Sequence, residues 1–197
     1  MPFRRLGEDE RYRGPLIALA TATFLDPDGG QFERDVVHHP GAVSVVPLHD
    51  DGRVVLVRQY RAAIDRELLE IPAGKRDVEG EPPEDTARRE LVEEVGLRAE
   101  RLELLAEFHN SAGFCDELSY VFLGRGLTTC DTDAQGVEER HMTVEEIALA
   151  DVPALIAMGE ITDAKTIIGL CLARERVLEE ESRADARDSS SRTGGRP

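Results

Sequence analysis

The chain has 197 residues, 41% of them hydrophobic, enough to bury one good core and carry an additional arm. Its formal net charge of -16 argues against nucleic acid or an anionic membrane as a standing partner, because both would be repelled without a basic patch. Cys115, Cys130 and Cys171 are odd in number and lack metal-ligand spacing, which excludes a disulfide framework and fits a reducing compartment.

In chain order, the opening MPFRRLGEDERYRG offers no apolar core of a leader peptide, and no stretch reaches the ~18 apolar residues of a membrane span, so a cytoplasmic location is expected. Leu16 to Phe24 and Phe32 to His38 are expected as strands around the DPDGG turn. Ala42 to Leu48 and Val54 to Tyr60 are expected as a second hairpin around HDDG. A helix over roughly 82–95 follows, with Pro82 and Pro83 suited to its start and Gly96 to its stop. Strands are then expected at Leu102 to Phe108, Tyr120 to Leu123 and Met142 to Ile147, and after them two helices. In the last helix, capped by Thr162 or Asp163, the spacing of Ala164, Ile167, Ile168, Cys171 and Leu172 predicts the core face. The last segment, SRADARDSSSRTGGRP (182–197), lacks apolar side chains able to offset ordering entropy, and residues 183–197 are expected to form a disordered tail.

The chemistry concentrates in EPPEDTARRELVEEVGL, residues 81–97. Glu90 precedes Glu93 by three residues and Glu94 by four, so these carboxylates share one helical face, with Ala87, Leu91 and Val95 expected on the opposite, inward face. Like charges packed so closely call for a cation, and all-oxygen donors favour a hard divalent ion such as Mg2+, with Mn2+ as a substitute. A solvated acidic helix face is the bland alternative, but the full set of spaced residues makes it the weaker one.

This stretch resembles the Nudix box, Gx5Ex7REUxEExGU with U aliphatic, except that six residues, KRDVEG, separate Gly74 from Glu81. The resemblance implies an α/β (α+β) fold, the Nudix α/β/α sandwich with a mixed β-sheet. VRQYR (Arg58, Gln59, Tyr60, Arg61) and EIPAG (Glu70 to Gly74) are similar to the ADP-ribose pyrophosphatase branch. From that branch follow an N-terminal arm and hairpin at 1–40 used in homodimerisation, and a hydrolase domain at 41–182. The implied substrate is a small nucleoside diphosphate sugar, with no nucleic-acid or membrane partner. The implied reaction is Mg2+-dependent hydrolysis of ADP-ribose to AMP and ribose 5-phosphate. The alternatives are another sugar such as GDP-mannose, or a non-catalytic ADP-ribose sensor.

Residue by residue, the resemblance places metal at Glu90 and Glu94, with Glu93 assisting and the Ala73 backbone carbonyl completing the site. Arg89 orients the glutamates, or forms only a surface pair with Glu93. Glu81 is either a peripheral ligand or an anion favoured at the helix start. The resemblance places the general base at Glu139, with Glu138 as substitute, in TTCDTDAQGVEERHMT, the alternative being a glutamate-rich loop that is only solvated. Arg61, beside Tyr60, grips the diphosphate or terminal ribose, or is an exposed strand arginine. The substrate loop is represented by Gly113, Phe114, Asp116 and Glu117. Ala112 stands where the branch carries proline, and Cys115 replaces a serine. Phe114 either stacks on a base or packs, packing being the commoner use of such a ring. His109 and His141 receive no role.

Overall fold

The computed structural model describes residues 2–132 and 141–193. Two strongly apolar segments organise it. In β4 (Ala42–Pro47), Val43 and Val45 point to one face while Val46 points to the other, and all are buried. In β9 (Leu118–Thr129), Phe122 and the pair Val121 and Leu123 divide in the same way. Strands buried on both faces suit the centre of a sheet with helices on either side. β4 and β9 pair in parallel, Ala42 opposite Ser119 through Pro47 opposite Gly124. β7 (Ala73–Lys75) and β8 (Leu97–His109) pair antiparallel at the flanks, giving the order β7-β4-β9-β8.

β5 (Arg53–Arg61) is flanked by β6 (Arg66–Glu70) and β10 (Thr143–Ala148) in a second sheet. The expected β4–β5 hairpin is therefore corrected: the two strands share a single bridge, Leu48 with Val54, and belong to different sheets. The turn acts as a corner, because the edge of β4 is taken by the parallel partner β9. Helix α1 (Pro83–Val95) packs Ala87 and Leu91 against Val43, Val45, Val55 and Phe122. The short α2 (Val152–Ala157) and long α3 (Ala164–Thr193) cover the other face over Val46, Leu56, Ile71 and Val121. The result is the expected sandwich of helices about mixed strands.

The N-terminal arm is a separate three-stranded antiparallel sheet, β1 (Arg4–Arg13), β2 (Ala18–Leu25) and β3 (Gln31–His38). The β2–β3 turn is shaped by Asp26, whose Oδ1 accepts from the Asp28 and Gly30 amides at 2.9 and 2.8 Å. β1, β6 and β7 lie outside the sequence expectation. β1 is a charged ribbon exposed at every residue, so it carries no apolar alternation to reveal it.

Two expectations in α3 are corrected. Its buried face is Thr166, Gly169, Leu170 and Ala173, whereas Ala164, Cys171 and Leu172 are exposed. Gly169 lets the helix approach closely, since a Cβ there would stand 3.0 Å from Ile71, Val121 and Val46. The helix also continues to Thr193, so residues 183–193 are helical rather than a disordered tail. Once the packed turns have nucleated the helix, alanine and arginine extend it at little cost. None of the described helices is long and apolar enough to cross a membrane.

Candidate active site

Pro82 and Pro83 start α1 with extended and helical backbone in turn, and Gly96, at φ 60°, ends it in the left-handed region. That span fixes which residues face the sheet. Glu90 and Glu94 are buried on the same side as Ala87 and Leu91, which corrects the expected division into a carboxylate face and an opposite apolar face. Two carboxylates are thus carried into the sandwich beside β7. The Ala73 amide donates to Glu94 Oε2 at 2.9 Å. Gly74 is the residue against which Glu90 lies: a Cβ there would fall 1.9–2.2 Å from the Glu90 carboxyl group, so only glycine leaves room for it.

Arg89 ties the acidic set together. Its Nη1 donates to Glu90 Oε1 at 2.8 Å and to Glu93 Oε2 at 3.1 Å, and its Nη2 to Glu81 Oε2 at 3.2 Å. Asp77, in the lengthened loop before α1, stands 3.8 Å from the same nitrogen. Burial works to lower the arginine's pKa, but the Glu81 hydrogen bond and the charges of Glu90, Glu81 and Glu93 outweigh it and raise it. Arg89 is therefore more than a surface partner of Glu93. Glu81 is neither free nor capping the helix start: it accepts from Arg89 and from Thr86 Oγ1, the latter at 2.8 Å, and both lower its pKa.

These donors fit a hard divalent ion. They are carboxylate oxygens one turn apart, beside backbone stripped of a Cβ. Among the described residues, no three His, Cys, Asp or Glu side chains converge into a complete cage. A hard divalent ion held by one or two carboxylates, with the rest of its shell left for water and phosphate oxygens, is compatible with such a partial site.

A second polar cluster adjoins the first. Arg61 donates to Glu70 bidentately, Nε to Oε1 at 2.7 Å and Nη2 to Oε2 at 2.6 Å. Glu70 is fully buried and also holds Lys165 of α3, which lies 2.9 Å from Asp163 Oδ2. Asp163 caps α3 through the Thr166 amide at 2.9 Å, and Thr166 Oγ1 accepts from the Ile71 amide at 3.0 Å. The Glu70 hydrogen bond, against the opposing effect of burial, raises the Arg61 pKa; Glu70, Asp163 and Glu94 charges add to the rise, which places Arg61 within electrostatic reach of the α1 carboxylates. Arg61 is thus half-buried and paired rather than a free strand arginine. Asp163 was one of the two caps expected for this helix, whereas Glu70 and Lys165 were not singled out for a role from the sequence. The available signal was the solitary Lys165 at the head of an apolar helical run.

Other predicted residues are dispersed. Tyr60 is exposed on the far side of its strand and donates to Asp65 Oδ1 at 2.8 Å. Gly113, Phe114 and Glu117 share the turn between β8 and β9. Phe114 is 60% exposed, which corrects the expectation that it packs: the turn closes with its N–H donated to Ser111 O, leaving the ring outside the core. His109 ends β8 with Nδ1 3.2 Å from Glu117 O. Glu138 and Glu139 lie outside the described residues.

Comparison with known proteins places the whole chain. The chain is 37% identical over 163 residues to ADP-ribose pyrophosphatase of Bacillus subtilis (strain 168), covering 83% of this chain and 88% of that one. It is 38% identical over 168 residues to ADP-ribose pyrophosphatase of Mycobacterium tuberculosis (strain ATCC 25618 / H37Rv), covering 85% and 81%. The crystal structure of an ADP compounds hydrolase superposes with a TM-score of 0.80 at 20% identity, covering 91% of this chain and 96% of the other, and so shares the fold. The NUDIX domain matches residues 38–167, the segment that holds both polar clusters, and the chain belongs to the Nudix family.

Proposed function

We propose that the chain is a Nudix pyrophosphohydrolase that cleaves the diphosphate of ADP-ribose, with Mg2+, to AMP and ribose 5-phosphate. The observation that supports it most is the pair of buried carboxylates, Glu90 and Glu94, held beside the side-chain-free Gly74 backbone by Arg89 and the Ala73 amide. The substrate assignment follows the names of the two relatives at 37% and 38% identity. Glu90, Glu94 and the Ala73 carbonyl, with Glu93 assisting, would hold the cation, which would supply charge neutralisation at the diphosphate and a more acidic bound water.

The protein's own groups do the rest. Arg89 holds the carboxylates in register. Arg61, braced by Glu70 through Nε and Nη2, presents its remaining N–H groups to a phosphate or the terminal ribose. Gly113, Phe114 and Glu117 line the approach of the nucleoside, and Tyr60, exposed on the strand that carries Arg61, is open to a further substrate contact. Glu139, or Glu138 in its place, takes the proton from the attacking water as its oxygen bonds phosphorus and the bridging P–O bond breaks. Residues 1–40 serve as the arm of a homodimer and 41–182 as the hydrolase domain, working in the cytoplasm without nucleic-acid or membrane partners.

Turnover of ADP-ribose, ADP-glucose, GDP-mannose and NADH with Mg2+ or Mn2+, beside Glu94→Gln, tests this reading. ADP-ribose preferred, and lost in the variant, is the expected result; tight nucleotide binding without turnover overturns it in favour of a sensor. Glu139→Gln is expected to lower kcat by about 10²–10⁴ with metal affinity retained.

A further inference from the structure

His38 ends the arm strand β3 and stands between two carboxylates from different parts of the molecule. Its Nδ1 lies 2.5 Å from Asp116 Oδ2 in the β8–β9 turn, and its Nε2 lies 2.9 Å from Glu8 Oε2 of β1. Around this contact the backbones interlock. Val37 N–H donates to Phe114 O at 2.7 Å, Asp116 N–H to Val37 O at 3.1 Å, and His39 N–H to Asp116 Oδ1 at 2.9 Å. The turn is thus docked as a short parallel addition to the arm. It leads directly into β9 at Leu118, where Ser119 lies beside Ala42, itself beside Lys75 of β7. Two strand spacings, roughly 10 Å, therefore separate the exit of the turn from the β7 backbone at the metal site.

We propose that His38 is a positioning residue: doubly bonded to Asp116 and Glu8, it clamps the 111–117 turn onto the arm, and the clamp opens when the imidazole loses its second proton. The chemistry is simple. Only the imidazolium has two N–H donors, so a neutral ring satisfies one carboxylate and leaves the other facing a lone pair. The charged groups around it are Asp116 on the turn, Glu8 and its partner Arg5 on β1, and His39 with Glu117 3.7 Å away. The hydrogen bonds to Asp116 and then Glu8 raise the pKa of His38 above its ordinary value of 6.5, against a smaller opposing effect of burial. The clamp is consequently complete below pH 6.5 and is lost as pH rises through the higher folded value.

That the turn contacts substrate rests on the reading under Proposed function; the clamp itself does not. Its test is hydrogen exchange of the Val37, His39 and Asp116 amides in the full-length protein without substrate, as protection factors from pH 6 to 9. Wild type, His38→Gln and His38→Arg are compared, the last carrying a fork that stays charged. Expected are protection that falls severalfold with pH in wild type, low and flat protection in His38→Gln, and high and flat protection in His38→Arg. The same ranking is expected in KM for ADP-ribose, with kcat changing less. Flat protection in wild type, or a His38→Gln profile matching wild type, overturns the clamp. Exchange behaving as expected while ADP-ribose is not hydrolysed leaves the clamp standing and refutes the substrate.

Discussion

Gly74 and Arg89 show how little separates the proposed metal site from an acidic surface. The glutamates alone would repel one another; a guanidinium that touches Glu90, Glu93 and Glu81, and a residue with no side chain, make their proximity tolerable. Gly74→Ala is expected to weaken Mn2+ binding by about 10–100-fold, as when other supports of metal ligands are disturbed. Calorimetric titration reads this directly, and unchanged affinity would show that Glu90 can move aside without loss. At this scale spacing along one helix was enough to group Glu90, Glu93, Glu94 and Arg89, a grouping that the Arg89 contacts to Glu90 and Glu93 share, but it misjudged the side on which Glu90 and Glu94 lie. It was silent on Glu70 and Lys165, 95 residues apart, because nothing in local spacing announces that they meet.

The head of α3 is where an element and the site depend on each other. Asp163 caps the helix, neutralises Lys165 and, through Thr166, fixes Ile71 next to Glu70. Loss of the cap in Asp163→Ala is expected to cost about 1 kcal/mol, with a further loss because Lys165 then keeps only Glu70, which it shares with Arg61, as its counter-charge. Although burial pushes the Asp163 pKa up, Lys165 and Thr166 hold it below its ordinary value of 3.8. Its contribution is thus fully present above pH 3.8 and lost as pH falls through the lower folded value. Chemical denaturation should show the stability gap between wild type and Asp163→Asn narrowing as pH drops from 5 to 3; a constant gap would remove Asp163 from the linkage. Helix existence here was readable from periodicity, but its rotation was not. Gly169 and the Lys165–Glu70 pair turn Cys171 and Leu172 outward, although their spacing alone suits a core face.

Across the whole molecule, the arm is the part that does not complete itself. Phe24 and Phe32 stack with centroids 5.4 Å apart, Phe3 meets Phe32 edge-on, and Phe3, Leu6, Tyr12 and Leu16 remain exposed. Apolar side chains left exposed on and beside one three-stranded sheet suit burial against a second copy. Light scattering after size exclusion is expected to give a dimer for the full chain and a monomer after removal of residues 1–38; a monomeric full chain with full activity would refute the arm's role. The hairpin of the arm was readable from DPDGG and its flanking apolar alternation, whereas β1 was hidden by its charge.

The parallel pairing of β4 with β9 also governs the order in which the molecule can form. β7 and α1 lie inside the crossover between those strands, so every proposed metal-binding residue is synthesised before the partner that closes the sheet around it. A nascent chain ending at His109 carries Glu90, Glu93, Glu94 and Arg89 yet has no β9 to lie beside β4. Closure over so long a separation is slow compared with helix formation, and until it happens the acidic helix is left without its sheet.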